Sequence, residues 1–258
     1  MNDQIFSGLN SEQQYAVTTT DGPLLVLAGP GSGKTRVITH RISYLVSELL
    51  IDSQNILAVT FTNRAANEIK DRINNMITGR NAFNLRCGTF HSFCVYILRQ
   101  YGKFIGLNQN FVIYDDNDQL QVITESLKEL QIDIKRFPSR SVLASISKHK
   151  SNLISYKILS GTSKNFYDEI VSRVYENYQN TLNSNGALDF DDLLMKAVQL
   201  LQNSKEISDF YSNKYEHLMI DEFQDTNIAQ YTLMKLLFQD NFHTYSHHKQ
   251  MLFQILHF

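Results

Sequence analysis

The chain has 258 residues, of which 43% are hydrophobic and 19% are charged, and its formal net charge is −2. This composition excludes a disordered chain, a collagen-like repeat and a disulfide-rich scaffold, and the balanced charge provides no general basic field for nucleic acid. No apolar stretch reaches the roughly 18 residues of a membrane span, and the N-terminus lacks a signal-peptide pattern. We therefore predict a cytoplasmic protein with a real core, no membrane association and reduced cysteines.

Short apolar runs alternate with helical periodicity in the first 110 residues, which is typical of an α/β fold. Residues 24–28 are predicted to form a buried strand that leads through a glycine-rich turn into an amphipathic helix. Residues 56–61 form the next predicted strand, and Asn63 is predicted to cap the helix that follows. A short strand at 85–90 leads into a further helix.

The pattern changes at about residue 111, where helical periodicity begins to dominate and no strong strand is found. The α/β pattern returns with a helix after Asp189 and with an apolar strand at 217–222 that ends in carboxylates. We therefore predict a parallel-sheet domain interrupted by a mostly helical insertion. The predicted domain consists of residues 1–110 and 190–237, the insertion of residues 111–189, and a divergent tail of residues 238–258.

The segment Ala28-Gly-Pro-Gly-Ser-Gly-Lys-Thr35 lies between a predicted strand and a predicted helix, as in a phosphate-binding loop. Glycines let backbone N–H groups turn toward an anion, and the helix N-terminus adds partial positive charge. Lys34 can reach the β- and γ-phosphates, and the Thr35 hydroxyl can bind Mg²⁺. The alternative is a glycine-rich turn that merely precedes a lysine. The predicted nucleotide-binding residues are Gly29, Gly31, Ser32, Gly33, Lys34 and Thr35.

A second segment, Asp221-Glu-Phe-Gln-Asp225, follows the apolar strand at 217–222. Asp221 can hold Mg²⁺ through its water shell, and Glu222 can take a proton from an attacking water molecule. Alone, the segment is better interpreted as a polar strand end. Together with the loop at 28–35, it predicts the Mg²⁺ carboxylate and the general base of an NTPase.

Six motifs in this order resemble those of the UvrD/PcrA/Rep helicases of superfamily 1, from about residue 9 to about residue 237. They are LNSEQQYAV (9–17), AGPGSGKT (28–35), TFTNRAA (60–66), GTFHS (88–92), LDFDDL (188–193) and DEFQDTN (221–227). The resemblance implies a RecA-like P-loop NTPase fold, in which subdomain 1B is inserted into subdomain 1A, with ATP and Mg²⁺ as cofactors. It implies an ATP-dependent 3′–5′ DNA helicase that acts on single-stranded DNA and at single-strand/double-strand junctions.

The same resemblance assigns three further roles around the nucleotide. Gln13 would read the adenine edge, although a polar residue near a helix start is the simpler interpretation of the residues alone. Arg41 would face the γ-phosphate, whereas a solvated arginine on a helix is the commoner case. Gln224 would couple the state of the nucleotide to DNA, and its alternative is a polar surface residue.

The resemblance also assigns five residues to single-stranded DNA: Phe61, Thr62, Asn63, Thr89 and His91. Phe61 offers a face for stacking on a base, and the polar pair after it can bond to phosphates. On the residues alone, Phe61 as a core residue and Asn63 as a helix cap are equally consistent. A single histidine such as His91 is usually structural, and no neighbouring spacing supports zinc binding.

Three acidic residues, Asp189, Asp191 and Asp192, suggest a metal site. We prefer a capping arrangement in which Asp189 and Asp192 stabilise the N-terminus of a helix at 193–201, because acidic side chains favour that position.

The tail from residue 238 has four of the eight histidines and only two charged residues, and it fits neither a helix nor a strand. Its histidines could suggest a metal site, but an interrupted reading frame near residue 238 explains the lost pattern as well. The family's next motif and its second RecA-like domain are not found, so we expect an N-terminal helicase fragment with little hydrolysis. The alternatives are a non-catalytic remnant that binds ATP or single-stranded DNA and a subunit of a helicase–nuclease.

Overall fold

The computed structural model describes residues 3–29, 31–77, 84–162, 165–238 and 250–256. The chain forms two compact units, which we call the sheet unit and the helical unit. The sheet unit contains Met1–Phe93, Ser208–Thr226 and Lys235–Phe258, and the helical unit contains Cys94–Ile207 and Asn227–Met234.

The sheet unit is built on a five-stranded parallel sheet, which confirms the predicted α/β class. Its strands are β1 Leu24–Ala28, β2 Ile56–Thr60, β3 Arg86–Thr89, β6 His217–Ile220 and β7 Gln250–Leu256. Two short strands of the helical unit, β4 Val112–Ile113 and β5 Ala187–Leu188, pair with each other. The spatial order in the five-stranded sheet is β1-β7-β6-β2-β3, and every neighbouring pair is parallel. The carboxyl ends of all five strands therefore lie along the same edge of the sheet.

Twelve helices are found in the described ranges, and none of them has the length and apolar character needed to cross a bilayer. Those before the helical unit are α1 Asp3–Phe6, α2 Ser11–Thr18, α3 Lys34–Ser47 and α4 Asn63–Met76, and α5 Phe90–Tyr101 continues into it. The helical unit contains α6 Asp116–Glu129, α7 Ser139–Ser151, α8 Tyr156–Thr162, α9 Phe166–Ser184 and α10 Phe190–Asn203. The last two helices are α11 Lys205–Lys214 and α12 Ile228–Leu237.

The core of the sheet unit lies between the sheet and the helices α3 and α4. Strand β2 is buried at every residue, as expected for a central strand of a parallel sheet covered on both faces. Apolar residues that recur every three or four positions along α3 and α4 pack against it, including Ile38, Ile42, Ile69 and Ile73. Packing in this core sets where α3 and α4 begin relative to the carboxyl ends of the strands.

Strand β1 is less buried than we predicted. Leu25 and Leu27 are 50% and 57% exposed, whereas Leu24 and Val26 pack against the core. Strand β1 pairs only with β7 and is therefore an edge strand, and only one of its faces is covered within the described residues. A continuous apolar run does not by itself distinguish a central strand from an edge strand.

The tail also differs from its prediction. Residues 250–256 form strand β7, which pairs with β1 on one side and β6 on the other. Backbone groups alone make these bonds, so a foreign composition does not prevent strand formation. Residues 239–249 lie outside the described residues, and His243, His247 and His248 with them.

The helical unit confirms the capping arrangement at Asp189 and Asp192. Asp189 caps α10, its carboxylate accepts from the backbone N–H of Asp192 at 2.7 Å, and the helix begins at Phe190 rather than at 193. Both carboxylates also bind the buried ammonium of Lys150, at 2.7 and 2.8 Å. No group of three or more His, Cys, Asp or Glu side chains in the described ranges could hold a metal ion.

The helical unit is larger than the predicted insertion of residues 111–189, because flanking helices pack against the inserted ones. At its start, Arg99 on α5 donates to the carbonyl of Phe111 at 2.8 Å and lies 4.0 Å from the centroid of its ring. At its end, α10 is tied to α7 through Lys150. The helical unit is defined by packing, whereas the predicted insertion at 111–189 is defined by the order of motifs along the chain. The limits of the inserted subdomain therefore stay a prediction.

Candidate functional site

The predicted site residues lie at the carboxyl edge of the parallel sheet. The glycine-rich loop follows β1, Phe61 follows β2, Thr89 ends β3 and Asp221 follows β6. Ligands of open parallel sheets bind at this edge, because loops from several strands converge there. Four segments that are far apart in sequence thus end on one side of one sheet.

The glycine-rich loop turns sharply into α3. Gly31 and Gly33 have φ angles of 73° and 84°, a left-handed conformation that glycine adopts without strain. The Ser32 N–H and hydroxyl both donate to the carbonyl of Gly29, at 3.3 and 2.7 Å. Gly33 occupies the N-cap of α3 and supplies no side-chain cap, so the first N–H groups of the helix are suited to an anion. Pro30 lies outside the described residues.

Lys34 begins α3, and its side chain lies back over the loop. The residue is buried, and its ammonium donates to the carbonyl of Gly29 at 3.4 Å. Thr35 follows it in the first turn of the helix and is half-buried. An anion held by the loop would therefore meet a cation and a hydroxyl group from the same helical turn.

Asp221 is only 4% exposed, and its backbone N–H donates to the carbonyl of Val59 at 3.0 Å. Its Oδ1 atom has no hydrogen-bond partner among the described residues. Burial and the neighbouring carboxylate of Glu222 raise the pKa of Asp221 to about 6, and the charge of Lys34 acts in the opposite direction. A buried carboxylate oxygen without a partner fits a cation such as Mg²⁺, which takes few protein ligands and completes its shell with water and phosphate.

Glu222 adopts a left-handed backbone conformation, with φ 54° and ψ 46°. Such a conformation costs a non-glycine residue on the order of 1–3 kcal/mol and is found most often at functional sites. The side-chain amide of Gln224 donates to the Glu222 carboxylate at 2.8 Å and approaches Asp225 at 3.3 Å. Gln224 is half-buried and bonds to the carboxylate beside it, so both its coupling role and its interpretation as a polar surface residue stay predictions.

Gln13 connects the start of α2 with the glycine-rich loop. Its side-chain oxygen accepts from the N–H of Asn10 at 3.0 Å, and the two residues form a capping box. Its side-chain nitrogen donates to the carbonyl of Ser32 at 2.8 Å. The helix-start interpretation of Gln13 is therefore confirmed, and the contact with the loop is an additional one that the sequence did not indicate.

Arg41 is buried beside the C-terminal part of α2. Its guanidinium donates to the carbonyls of Ala16 and Val17, at 2.5 and 3.3 Å, and the residue is 1% exposed. Burial lowers its pKa to about 10. The interpretation as a solvated side chain is therefore wrong, whereas the role at the γ-phosphate stays a prediction. The exposed arginine next to the loop is Arg36, which directly follows Thr35 and was missed.

The residues assigned to DNA lie at two neighbouring strand ends. Phe61 is half-buried and makes an edge-on contact with Phe90, with ring centroids 5.6 Å apart. Thr62, not Asn63, caps α4, because its hydroxyl accepts from the N–H of Ala65 at 3.1 Å. Asn63 is instead the first residue of the helix and is exposed.

Thr89 and His91 occupy the end of β3 and the start of α5. Thr89 is buried, and its hydroxyl accepts from the N–H of Ser92 at 3.1 Å. His91 is half-buried, and burial lowers its pKa, so the ring is neutral near pH 7. A Cβ at Gly88 would lie 2.5 Å from the hydroxyl of Ser92, so a larger residue there would force that hydroxyl to move.

A glycine-rich loop and an Asp-Glu pair at one edge of a parallel sheet are the arrangement found in P-loop NTPases. Residues 9–254 match the family model described as the UvrD/REP helicase N-terminal domain, so the chain belongs to this family. The match extends beyond residue 237, where we expected the similarity to end, and that expectation was wrong.

The most informative relatives are bacterial proteins named ATP-dependent DNA helicase PcrA. The protein of Bacillus subtilis is 49% identical over 237 residues, which are 92% of this chain and 32% of the relative. Those of Staphylococcus epidermidis and Staphylococcus aureus are 47% and 45% identical over 233 residues, which are 90% of this chain and 32% of each relative. The chain thus spans about a third of the length of the curated relatives it matches.

Proposed function

We propose that this chain is the N-terminal, ATP-binding part of a cytoplasmic ATP-dependent 3′–5′ DNA helicase. The observation that carries the proposal is the arrangement at one sheet edge of the Lys34 ammonium and the buried, partnerless oxygen of Asp221. The proposed architecture is a RecA-like subdomain 1A, residues 1–110 and 190–237, with a subdomain 1B inserted at 111–189. Membership of the family and the names of the relatives support ATP and DNA as ligands.

The nucleotide is proposed to bind across the loop at 29–35. Backbone N–H groups of Gly31, Ser32 and Gly33 surround the phosphates, and Lys34 neutralises their charge. Thr35 and Asp221 hold Mg²⁺, whose chemistry is to polarise the phosphate oxygens and stabilise their developing charge. Gly29 accepts from Lys34 in the structure and releases this bond as the ammonium moves to phosphate.

Glu222 is proposed as the general base that takes a proton from the attacking water molecule. Its left-handed backbone and its bond to Gln224 fix the carboxylate at the strand end, beside Asp221. Gln224 is thereby a positioning residue, and a change in its contacts is a direct route for coupling DNA to hydrolysis. Gln13 is proposed to read the adenine edge, since its amide already contacts the loop through Ser32.

Single-stranded DNA is proposed to cross the ends of β2 and β3, next to a single-strand/double-strand junction. The exposed Thr62 and Asn63 offer bonds to phosphates, and Phe61 presents one ring face while Phe90 supports its edge. Thr89 and His91 complete this surface. The backbone contact between these two strands, which pairs Thr60 with Thr89, fixes their spacing.

The test measures binding and turnover separately on the purified 258-residue chain. Calorimetric titration with Mg-ATP should show binding that Lys34→Ala weakens more than about tenfold, because a charge-assisted bond is worth roughly 1.5–3 kcal/mol. The exposed Lys70 on α4 provides a matched control, Lys70→Ala, which should leave the affinity unchanged. Equal affinities for the native chain and for Lys34→Ala would contradict the proposal.

The ATPase assay then separates a helicase part from its alternative. We expect single-stranded DNA binding that Phe61→Ala weakens, with slow hydrolysis by the chain alone. Binding of ATP and DNA with no DNA-stimulated hydrolysis, even after addition of the remaining two thirds of a PcrA relative, would favour the non-catalytic remnant. Rapid DNA-stimulated hydrolysis that Lys34→Ala abolishes would contradict the expectation of low activity and strengthen the helicase assignment.

A further inference from the structure

A cavity of about 560 Å³ lies in the helical unit among α8, α9 and α10. Its volume is in the range of roughly 300–1,000 Å³ that is usual for small-ligand sites. All of its lining residues, from Leu153 to Gln202, belong to the helical unit. None of them has been assigned a role in nucleotide or DNA binding above.

The charges that line this cavity favour an anion. Lys157 and Lys196 line it, and neither forms an ion pair with a carboxylate in the described residues. Asp192 is the only carboxylate among the lining residues, and its Oδ1 binds the buried ammonium of Lys150 at 2.8 Å, which it shares with Asp189. The lining therefore has two lysines against one carboxylate, and the only side-chain hydrogen bond that Lys196 makes in the described residues is to the neutral Gln199, at 3.2 Å.

Neutral groups in the same cavity suit a nucleobase. Tyr156 is half-buried, and its ring meets that of Tyr175 edge-on, with centroids 6.0 Å apart and an angle of 75°. The contact with Tyr175 therefore supports the orientation of the Tyr156 ring. The ammonium of Lys157 lies 5.9 Å from the centroid of the same ring. The exposed amides of Asn183 and Gln199 also line the cavity. Amides pair with base edges, and aromatic rings stack on bases of any sequence.

We propose that this cavity is a second nucleic-acid site, which takes one nucleotide unit of a single strand. Lys157 and Lys196 bind its phosphate, and Tyr156 stacks on its base. A base that is paired and stacked in a duplex cannot enter a concave pocket of this size, whereas an unstacked base of a single strand can. The proposal does not depend on the strand-end residues Phe61 to Asn63, which lie in the other unit.

The absence of tryptophan from the sequence allows a site-specific test. The variant Tyr156→Trp places the only indole of the chain in the cavity, where a stacked base quenches its fluorescence. The probes are a short oligothymidylate, thymidine 5′-monophosphate and inorganic phosphate. We expect quenching by the oligothymidylate at the lowest concentration, weaker quenching by the mononucleotide, and none by phosphate.

Charge variants in this tryptophan background test the phosphate contacts. Lys157→Gln with Lys196→Gln should weaken the oligothymidylate response about tenfold and reduce the slope of log affinity against log salt by about 1.4, as for two phosphate contacts on a single strand. The matched control is Lys128→Gln, since Lys128 is exposed in the same unit but does not line the cavity. Circular dichroism verifies that each variant is folded.

Three results would overturn the proposal: no quenching by the oligothymidylate, quenching by inorganic phosphate at equal concentration, or an equal loss with Lys128→Gln. If Tyr156→Trp does not fold, the two lysine variants are compared in the native chain by fluorescence anisotropy of a labelled oligothymidylate. Phe61→Ala should leave the indole response unchanged. If the indole is not quenched but the chain still binds single-stranded DNA in a way that Phe61→Ala weakens, the cavity site is rejected and the proposed function stands.

Discussion

The side-chain nitrogen of Gln13 donates to the backbone carbonyl of Ser32 at 2.8 Å, so the start of α2 is bonded directly to the glycine-rich loop. The side-chain oxygen of the same residue is held by the N–H of Asn10. Both ends of one amide are therefore engaged, and its oxygen and nitrogen cannot exchange places without loss of both bonds. This fixed orientation ties the position of the loop to a helix cap.

Gln13→Ala should lower the free energy of unfolding by about 1 kcal/mol, because it removes a capping box. The same variant should weaken Mg-ATP binding and reduce the preference for ATP over GTP, if the amide also reads adenine. Urea denaturation and calorimetric titration with both nucleotides measure the two effects. Glu12 is exposed and directly precedes Gln13 in the same helix, so Glu12→Ala is the control. It should change neither the preference for ATP over GTP nor the affinity for Mg-ATP.

Asp221→Asn should separate folding from metal binding. The variant removes a buried charge whose pKa is raised to about 6, so the metal-free protein should become more stable above that pH. It also removes the proposed Mg²⁺ ligand, so ATP binding should lose its dependence on Mg²⁺. Denaturation in EDTA at pH 8 and titration of ATP with and without Mg²⁺ provide the two readouts. A less stable variant that keeps the Mg²⁺ dependence would be inconsistent with both assignments.

His217 should make the stability of the protein depend on pH. Burial and the charge of Arg41 lower its pKa to about 4, and its Nδ1 has no hydrogen-bond partner among the described residues. Because the unfolded chain binds a proton at its ordinary pKa of about 6.5, stability should fall from pH 6.5 to pH 4 and level off below it. The full loss is on the order of 3 kcal/mol.

The measurement compares urea denaturation across this pH range for the native chain and for His217→Gln. The slope of the unfolding free energy against pH should be smaller in the variant, because it has no imidazole at position 217 to protonate in the unfolded state. His149→Gln is the comparison variant and should reduce the slope less, because His149 is only partly buried and the charge of Asp168 opposes the lowering of its pKa by burial. An unchanged slope in His217→Gln would mean that other groups carry the acid sensitivity.

Lys150→Met should destabilise the helical unit by about 3–5 kcal/mol, because two buried carboxylates would lose their only cation. Tyr178 also donates to Asp189 at 2.8 Å but cannot neutralise the charge. Combining Lys150→Met with Asp189→Asn and Asp192→Asn should recover much of the loss. Denaturation followed by circular dichroism measures both, and an equal loss in the single and triple variants would point to packing rather than charge.

Several features of the site were predictable from the sequence because their chemistry is local. The glycine-rich loop needs left-handed residues at fixed positions, and Gly31 and Gly33 provide them. The cap at Asp189 depends on a residue only three positions away, and the structure has it as predicted. The parallel arrangement of the strands follows from alternating strands and helices, and this class was also anticipated.

Other features depended on contacts between distant segments. Arg41 lies on nearly the same face of α3 as Lys34, and its guanidinium donates to the carbonyls of Ala16 and Val17 near the end of α2. Thr62 rather than Asn63 caps α4, since the choice between two neighbouring cap residues depends on the dihedral angles at the strand end. Strand β7 lies between β1 and β6 and pairs with both, a position that its own composition did not indicate.

The sequence by itself determined which residues are candidates for nucleotide binding, because Lys34, Thr35, Asp221 and Glu222 stand in motifs whose spacing is set by single turns and strand ends. Tertiary structure alone decided which of the remaining polar groups meet them. A side chain such as Arg41 or Gln13 has several bonding partners within reach, and the partner that wins is the one that packing places nearest while water is excluded.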